Sequence, residues 1–162
     1  MLCFSAMQIS RAVKQLTMLG LLSVRKEGVR VVISSNDCRL DLFEKAKPFL
    51  LNPIRKKIYV EYEDLPEGLP LSGYSALSEL TMLGGSFTKT FAFFGKIGEL
   101  KGTALLVDDA AQAEVEIWHY NPVLLSRHPG VVDALSLAAS LPAGDDERVE
   151  QAIDELLSVL RR

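Results

Sequence analysis

Two pairs of adjacent aspartates and two histidines are the residues of this 162-residue chain that could support acid–base or metal chemistry. The aspartate pairs, at 108–109 and 145–146, stand where a turn or a helix start is expected, and aspartate is favoured there for backbone reasons. His119 and His128 have no cysteine, histidine or carboxylate at the spacing of a metal motif. These residues therefore favour structural roles, and we expect no catalytic or metal site.

Cysteines and glycines supply no further site. Cys3 and Cys38 match neither a metal-ligand spacing nor a disulfide framework. The glycines at 84–85 and in the segment 95–98 lack the lysine and serine or threonine that complete a phosphate-binding loop. We expect no cofactor, and we do not expect an enzyme.

Amide and guanidinium side chains gather on one predicted helix, residues 5–19. Ser5 is its predicted N-cap and Gly20 suits the position that ends a helix. At about 100° per residue, an apolar stripe gathers on one side, formed by Ile9, Ala12, Val13 and Leu16. Arginine and glutamine on the other side can make paired hydrogen bonds to guanine and adenine, and lysine suits phosphate. The same pattern also fits a surface helix with a solvated polar face.

A predicted hairpin follows this helix. An apolar stretch at 21–24 leads into a charged turn at 25–28 and a β-rich return at 29–33. A basic hairpin tip beside a helix with hydrogen-bond donors shifts the interpretation from a solvated surface towards nucleic acid.

The run SAMQISRAVKQLTMLGLLSVRKEGVRVVISS resembles the recognition helix and wing of MarR-like winged-helix transcriptional regulators, over about the first fifth of the chain. The resemblance implies a DNA-binding regulator whose helix at 5–19 enters the major groove of double-stranded DNA and whose wing at 21–33 contacts phosphate. The implied groove-facing residues are Gln8, Ser10, Arg11, Lys14 and Gln15. The implied wing contacts are Arg25, Lys26 and Arg30.

A winged helix has two helices ahead of its recognition helix, whereas residues 1–4 alone precede this one. We expect either that the chain is a fragment of a longer parent protein or that a second copy supplies the packing, so that DNA binding involves the parent or a homo-oligomer. The remainder is similar to longer bacterial regulators with an α/β domain behind the reader. It also resembles, more weakly, the antitoxins of abortive-infection toxin–antitoxin pairs.

Charge divides the chain sharply. Residues 1–60 hold 11 lysines and arginines against 4 acidic residues, whereas residues 61–162 hold 7 against 17. This division indicates that the basic front alone approaches nucleic acid. Alternatively, the two charge sets neutralise each other across an internal interface.

Composition is that of an ordinary globular protein, with 48% hydrophobic and 24% charged residues. No apolar run reaches the roughly 18 residues that span a membrane, and no secretory signal pattern stands at the start. We expect a cytoplasmic protein that does not enter membranes.

Beyond the wing, helical spacing predicts a helix over 40–51 that Pro48 bends or ends. A basic segment at 54–60 follows. Its charged side chains could contact the DNA backbone, or they could form the solvated end of a strand or helix. The stretch 61–73 is rich in proline, glycine and acidic residues and predicts a linker. A boundary near residue 62 therefore separates domains 1–61 and 62–162.

The second domain is predicted to be α/β. Helical patterns cover 74–83, 131–141 and a terminal amphipathic helix that starts near 145. Strands are predicted at 89–94 and 114–120, with 103–107 as a candidate third strand. The predicted fold class is thus α+β: a partial winged helix, then a small α/β domain with a short sheet and a C-terminal amphipathic helix.

Three functions remain open from the sequence. The first is a DNA-binding transcriptional regulator. The second is an antitoxin-type protein that controls its own promoter and binds a protein partner through the acidic half. The third is a non-enzymatic ligand-binding or structural domain.

Overall fold

The computed structural model of the chain describes residues 5–85, 88–96, 98–142, 144 and 146–158. Within this part the chain is a mixed α+β protein with five α-helices and two small sheets, as predicted. It divides into two compact units, and the division falls between Leu50 and Leu51. None of the described helices has the length and apolar character needed to cross a bilayer.

The first unit contains two helices and a hairpin. Its elements are α1 (Ala6–Met18), β1 (Ser23–Glu27), β2 (Arg30–Ser34) and α2 (Arg39–Ala46), followed by a 3-10 turn at Lys47–Phe49. The predicted helix, the predicted hairpin and the end of the next helix before Pro48 are therefore confirmed.

The apolar stripe of α1 does not face a core. No described residue of α1 is buried, Ile9 is 49% exposed, and Val13 and Leu16 are only half-buried. The stripe therefore lacks a packing partner within the described part, because α1 makes few contacts with the other described elements. Among the described residues of this unit, the buried apolar ones follow α1 in the chain, and they are Leu21, Leu40, Phe43 and Ala46.

A three-stranded mixed sheet organises the second unit. The strands are β3 (Ile54–Glu61), β4 (Thr90–Phe93) and β5 (Gln112–Trp118), in the order β3-β5-β4. The central strand β5 is antiparallel to β3 and parallel to β4. The strands predicted at 89–94 and 114–120 are confirmed.

Three helices accompany this sheet: α3 (Gly73–Leu80), α4 (Ala134–Ser140) and α5 (Glu147–Ser158). All three were predicted from periodicity. The stripe of α5 is buried as expected, through Val149, Ala152, Ile153, Leu156 and Leu157. Residue 145, near which this helix was predicted to start, lies outside the described residues, as do residues 159–162.

The pairing of β3 places the boundary between the two units earlier in the chain than the predicted boundary near residue 62. Because β3 pairs with β5 from Ile54–Trp118 to Glu61–Gln112, residues 54–61 belong to the second unit rather than to the first. The segment 61–73 is therefore a loop inside this unit, and the division lies before residue 62. Residues 1–50 then carry 8 basic and 4 acidic residues, and residues 51–162 carry 10 and 17.

Strand β5 is buried on both faces. One face packs in an apolar cluster of Ile58, Val60, Val115 and Ile117. On the other face, register places Lys57, Glu116 and Ala92 in one cross-strand row and Tyr59, Glu114 and Thr90 in the next. The polar side of the predicted alternation is thus partly covered within the unit: Glu116 and Thr90 are buried, Glu114 and Tyr59 are half-buried, and Lys57 remains exposed.

The prediction of a strand at 103–107 is wrong except at Thr103, which pairs with β3 as a single bridge. Thr103 exchanges two backbone hydrogen bonds with Tyr59, at 2.8 and 2.9 Å, and the pairing stops there. Leu105 and Val107 are exposed, so no apolar burial favours continuing the ladder. Gly102 makes the close approach possible, because a Cβ there would lie 2.7 Å from the Tyr59 carbonyl oxygen.

The opposite edge of the sheet is covered as well. The Ser72 N–H donates to the Thr90 carbonyl oxygen at 2.9 Å, and the Ala92 N–H donates to the Pro70 carbonyl oxygen at 2.9 Å. Both outer strands, β3 and β4, therefore have backbone groups satisfied by loop segments.

Candidate nucleic-acid surface and a charged cavity

Helix α1 begins with a capping box. Ser5 Oγ accepts from the Gln8 N–H at 3.2 Å, and Gln8 Oε1 accepts from the Ser5 N–H at 2.8 Å. The predicted N-cap is confirmed, and the reciprocal bond satisfies two N–H groups that a helix start leaves open. The Gln8 carboxamide was expected to contact a base. Its oxygen is engaged by the cap, so its NH₂ group is the part of the side chain that remains available to donate to a base.

The remaining predicted groove residues are exposed on α1: Ser10, Arg11, Lys14 and Gln15. The helix contains no acidic residue, and neither Arg11 nor Lys14 forms an ion pair with any described residue. Its 13 residues span about 20 Å, a length that fits along a major groove about 12 Å wide. These side chains are thus available to a polyanion.

The hairpin differs in detail from the predicted wing. Residues 25–27 belong to β1, and the turn consists of Gly28 and Val29, with Gly28 at a φ of +63°. A left-handed φ is readily adopted by glycine, so a two-residue turn is possible here. The tip is therefore the apolar, fully exposed Val29 rather than a charged turn.

The three predicted wing cations lie on two faces of the hairpin. Arg25 pairs with Val32, and Arg30 pairs with Glu27, which places both arginines on one face as diagonal neighbours. Lys26 pairs with Val31 on the other face. All three are exposed and form no ion pair within the described residues.

Of the residues considered for acid–base chemistry, those that the structure describes have local backbone roles or are exposed, and Asp145 lies outside the described residues. Asp108 Oδ1 accepts from the Ala110 and Ala111 N–H groups, which closes a turn as predicted. His119 and His128 are exposed. Over the described ranges, no group of three or more histidine, cysteine or acidic residues is arranged to hold a metal ion.

One cysteine is described, and it begins a helix. Cys38 Sγ accepts from the Asp41 N–H at 3.5 Å at the start of α2, and the thiol is free and exposed. Cys3 lies outside the described residues.

A charged cavity in the second unit was not predicted. It has a volume of about 260 Å³ over the polar face of the sheet. Its floor includes Glu116, which is 1% exposed although it is a glutamate. Glu116 Oε2 accepts from Ser72 Oγ at 2.5 Å and from Trp118 Nε1 at 3.4 Å, and Oε1 lies 3.1 Å from Lys57 Nζ. These partners compensate its burial.

Lys57 joins the two glutamates of β5. Its ammonium lies 2.8 Å from Glu114 Oε1 as well as 3.1 Å from Glu116 Oε1, and Tyr59 Oη donates to Glu114 Oε2 at 3.4 Å. Part of the basic segment of the sequence is thus neutralised inside the second unit. Lys57 is therefore not counted among the candidate nucleic-acid residues.

The same contacts shift two pKa values. Burial lowers the pKa of Lys57, but the hydrogen bond to Glu114 and the charges of Glu116 and Glu114 together raise it above its ordinary value of 10.5. Burial, followed by the charge of Glu114 and its hydrogen bond, raises the pKa of Tyr59 above 10.0. For Tyr120, burial likewise raises the pKa, against a hydrogen bond with Ser136 that lowers it.

We expect the second unit to lose stability as pH rises above 10. A lysine with a raised pKa stabilises the folded state below its unfolded pKa, and this contribution disappears as pH rises through the folded pKa. The raised tyrosine pKa values act with the same sign, because the unfolded chain releases those protons first. Urea unfolding followed at Trp118 between pH 9 and 11.5 measures the loss. Lys57→Met should flatten the slope of stability against pH, whereas Lys56→Met, which removes a lysine that forms no ion pair with a described residue, should not. Equal slopes in both variants would contradict the assignment.

The signal for Glu116 was present in the sequence but ambiguous. Alternation of Glu114, Glu116 and Trp118 with apolar residues predicts a strand, and the polar side of such a strand usually faces water. Burial of Glu116 depends on Ser72, which lies 44 residues away, and on Lys57 in another strand. Pairwise contacts of this kind are not encoded in periodicity.

The chain matches no protein-family model, no curated protein and no solved structure. The resemblance to MarR-like regulators therefore depends on the residues of the first unit alone.

Proposed function

We propose that the first unit binds double-stranded DNA, with α1 in the major groove and the β1–β2 hairpin against the backbone, as in a transcriptional regulator. The observation that supports this most directly is the set of exposed cations that form no ion pair within the described residues, namely Arg11, Lys14, Arg25, Lys26 and Arg30. Surface cations often pair with nearby carboxylates. Helix α1 itself contains no acidic residue, so Arg11 and Lys14 have no carboxylate partner within their own helix.

The arrangement of these groups suits a duplex. Arg11 lies on the side of α1 opposite the apolar stripe, where a bidentate contact to guanine is sterically open. The hairpin that follows α1 carries Arg25 on β1 and Arg30 on β2, on one face that also includes Glu27. Cations on neighbouring strands can contact phosphates of the backbone. Phosphate contacts position a protein and base contacts give it specificity, so both classes of contact are represented.

The proposal is tested by binding the chain to a random-sequence duplex at several salt concentrations. A random-sequence duplex offers no matched base contact, so Arg11 is counted here with the phosphate contacts. If each of the five cations contacts one phosphate, the plot of log affinity against log salt has a slope of about −4.5, and affinity falls about 500-fold between 50 and 200 mM salt. Fluorescence anisotropy with a labelled 20-base-pair duplex measures both quantities. Absence of binding at 50 mM salt, or a slope near zero, would contradict the proposal.

The second unit favours a second candidate, the antitoxin-type protein. The outer face of α5 is acidic and exposed, through Glu147, Glu150, Asp154 and Glu155. Such a face complements a basic protein partner better than it does DNA. Co-purification with the product of a neighbouring gene, and loss of that product when Glu150 and Asp154 are both changed to lysine, distinguishes this candidate from a regulator that acts alone.

A further inference from the structure

We infer that the cavity of the second unit is a binding site for a small organic cation, with an ammonium group held by Glu114 and an apolar portion held by the cavity wall. This inference concerns the second unit and does not depend on DNA binding by the first.

The net charge of the cavity lining favours a positively charged ligand. Its lining contains two carboxylates, Glu114 and Glu116, and one ammonium group, Lys57. Lys57 is already shared between both carboxylates, at 2.8 and 3.1 Å, so it has little remaining attraction for an anion. One formal negative charge remains uncompensated in a partly desolvated space, where a charge interacts more strongly than in water.

The remaining hydrogen-bonding capacity lies on Glu114. Glu116 already accepts from Ser72, Trp118 and Lys57. Glu114 has one short contact, to Lys57, and a long one of 3.4 Å from Tyr59. Because the Glu114 side chain is 19% exposed, it can accept from an incoming N–H group without being uncovered first.

Thr90 places a further hydrogen-bonding group beside Glu114. It is 6% exposed and lines the cavity next to Glu114 in the sheet register. Its N–H donates to Ser75 Oγ at 2.9 Å, and its carbonyl oxygen accepts from the Ser72 N–H at 2.9 Å. Its hydroxyl can accept a hydrogen bond from an ammonium group held by Glu114.

The rest of the wall limits the ligand to a small, partly apolar molecule. Leu106, Leu141 and Pro142 form apolar wall, and Tyr74 contributes an aromatic ring. An aromatic ring also favours a cation near its face. The volume of about 260 Å³ accommodates a short alkylamine but not a nucleotide or a peptide.

The experiment uses the full chain and n-butylammonium chloride, with sodium butyrate at equal ionic strength as the matched anion. Trp118 is the one tryptophan of the sequence, and its indole N–H donates to Glu116, so its fluorescence and its ¹⁵N indole signal report on the cavity floor. We expect saturable shifts with butylammonium, with a dissociation constant on the order of 1 mM for so small a ligand. Butyrate should produce no saturable shift.

Three variants then assign the binding to this site. Glu114→Gln keeps the shape and removes the charge, and should weaken butylammonium binding at least 10-fold. Thr90→Val removes one hydroxyl and should weaken it several-fold, while Glu150→Gln on the exposed face of α5 should leave it unchanged. Thermal unfolding of each variant establishes that it is folded. Equal responses to butylammonium and butyrate, or wild-type affinity in folded Glu114→Gln, would overturn the inference.

Discussion

Changing Arg11 and Lys14 together to alanine should weaken binding to a DNA duplex about 60-fold at 0.1 M salt. Each lost phosphate contact removes about 0.9 from the salt slope, so the slope should fall from about −4.5 to about −2.7. Alanine has the highest helix propensity and neither side chain is buried, so α1 should remain folded. Anisotropy titrations between 50 and 300 mM salt measure affinity and slope in the same experiment.

The control for this pair is a second double variant with the same change of charge. Arg55 and Lys56 are exposed in β3, in the second unit, and form no ion pair with a described residue. Changing both to alanine should alter the duplex affinity much less. If the two double variants lose affinity equally, binding reflects overall charge and α1 has no special position on the duplex.

Leu156→Ala should destabilise the second unit by about 2–5 kcal/mol. Leu156 is 6% exposed and belongs to the apolar stripe of α5, so the substitution removes buried methyl groups and leaves a cavity. A loss of this size is a large part of the stability of a small domain and should lower its unfolding temperature by about 10 °C or more. Differential scanning calorimetry and the fluorescence of Trp118 record the transition.

A surface substitution on the same helix provides the comparison. Gln151 is exposed on α5, and Gln151→Ala should change stability by no more than about 0.5 kcal/mol. Amide hydrogen exchange measured separately over 5–33 and over the second unit shows whether Leu156→Ala affects one unit or both. An unmoved Trp118 transition would show that α5 is not part of the core, and simultaneous unfolding of both units would show that they are not independent.

Local patterns predicted most elements of this chain because each has a clear period. Helix α5 has an uninterrupted stripe at helical spacing, and the helix was correctly assigned together with its buried side. Helix α1 has an equally regular stripe, yet Ile9 remains half exposed. Periodicity defines which side of a helix is apolar, whereas burial requires a second element placed against that side.

Pairing between distant segments could not be predicted. The basic residues at 55–57 resembled the charged front of the chain, but β3 pairs with β5, more than fifty residues further on. The charge boundary in the sequence is therefore not the structural division. For the nucleic-acid surface, exposure of the named residues is consistent with the prediction, and their contacts with DNA stay a prediction.

The interrupted edges of the sheet have a consequence for how molecules of this chain can associate. Thr103 occupies the backbone groups of Tyr59 in β3, and Pro70 and Ser72 occupy those of Ala92 and Thr90 in β4, so neither outer strand offers a continuous row of free N–H and C=O groups. Open rows of this kind allow strands of different molecules to join into a continuous fibrillar ladder. Because both rows are interrupted, growth by strand addition is disfavoured at high local concentration.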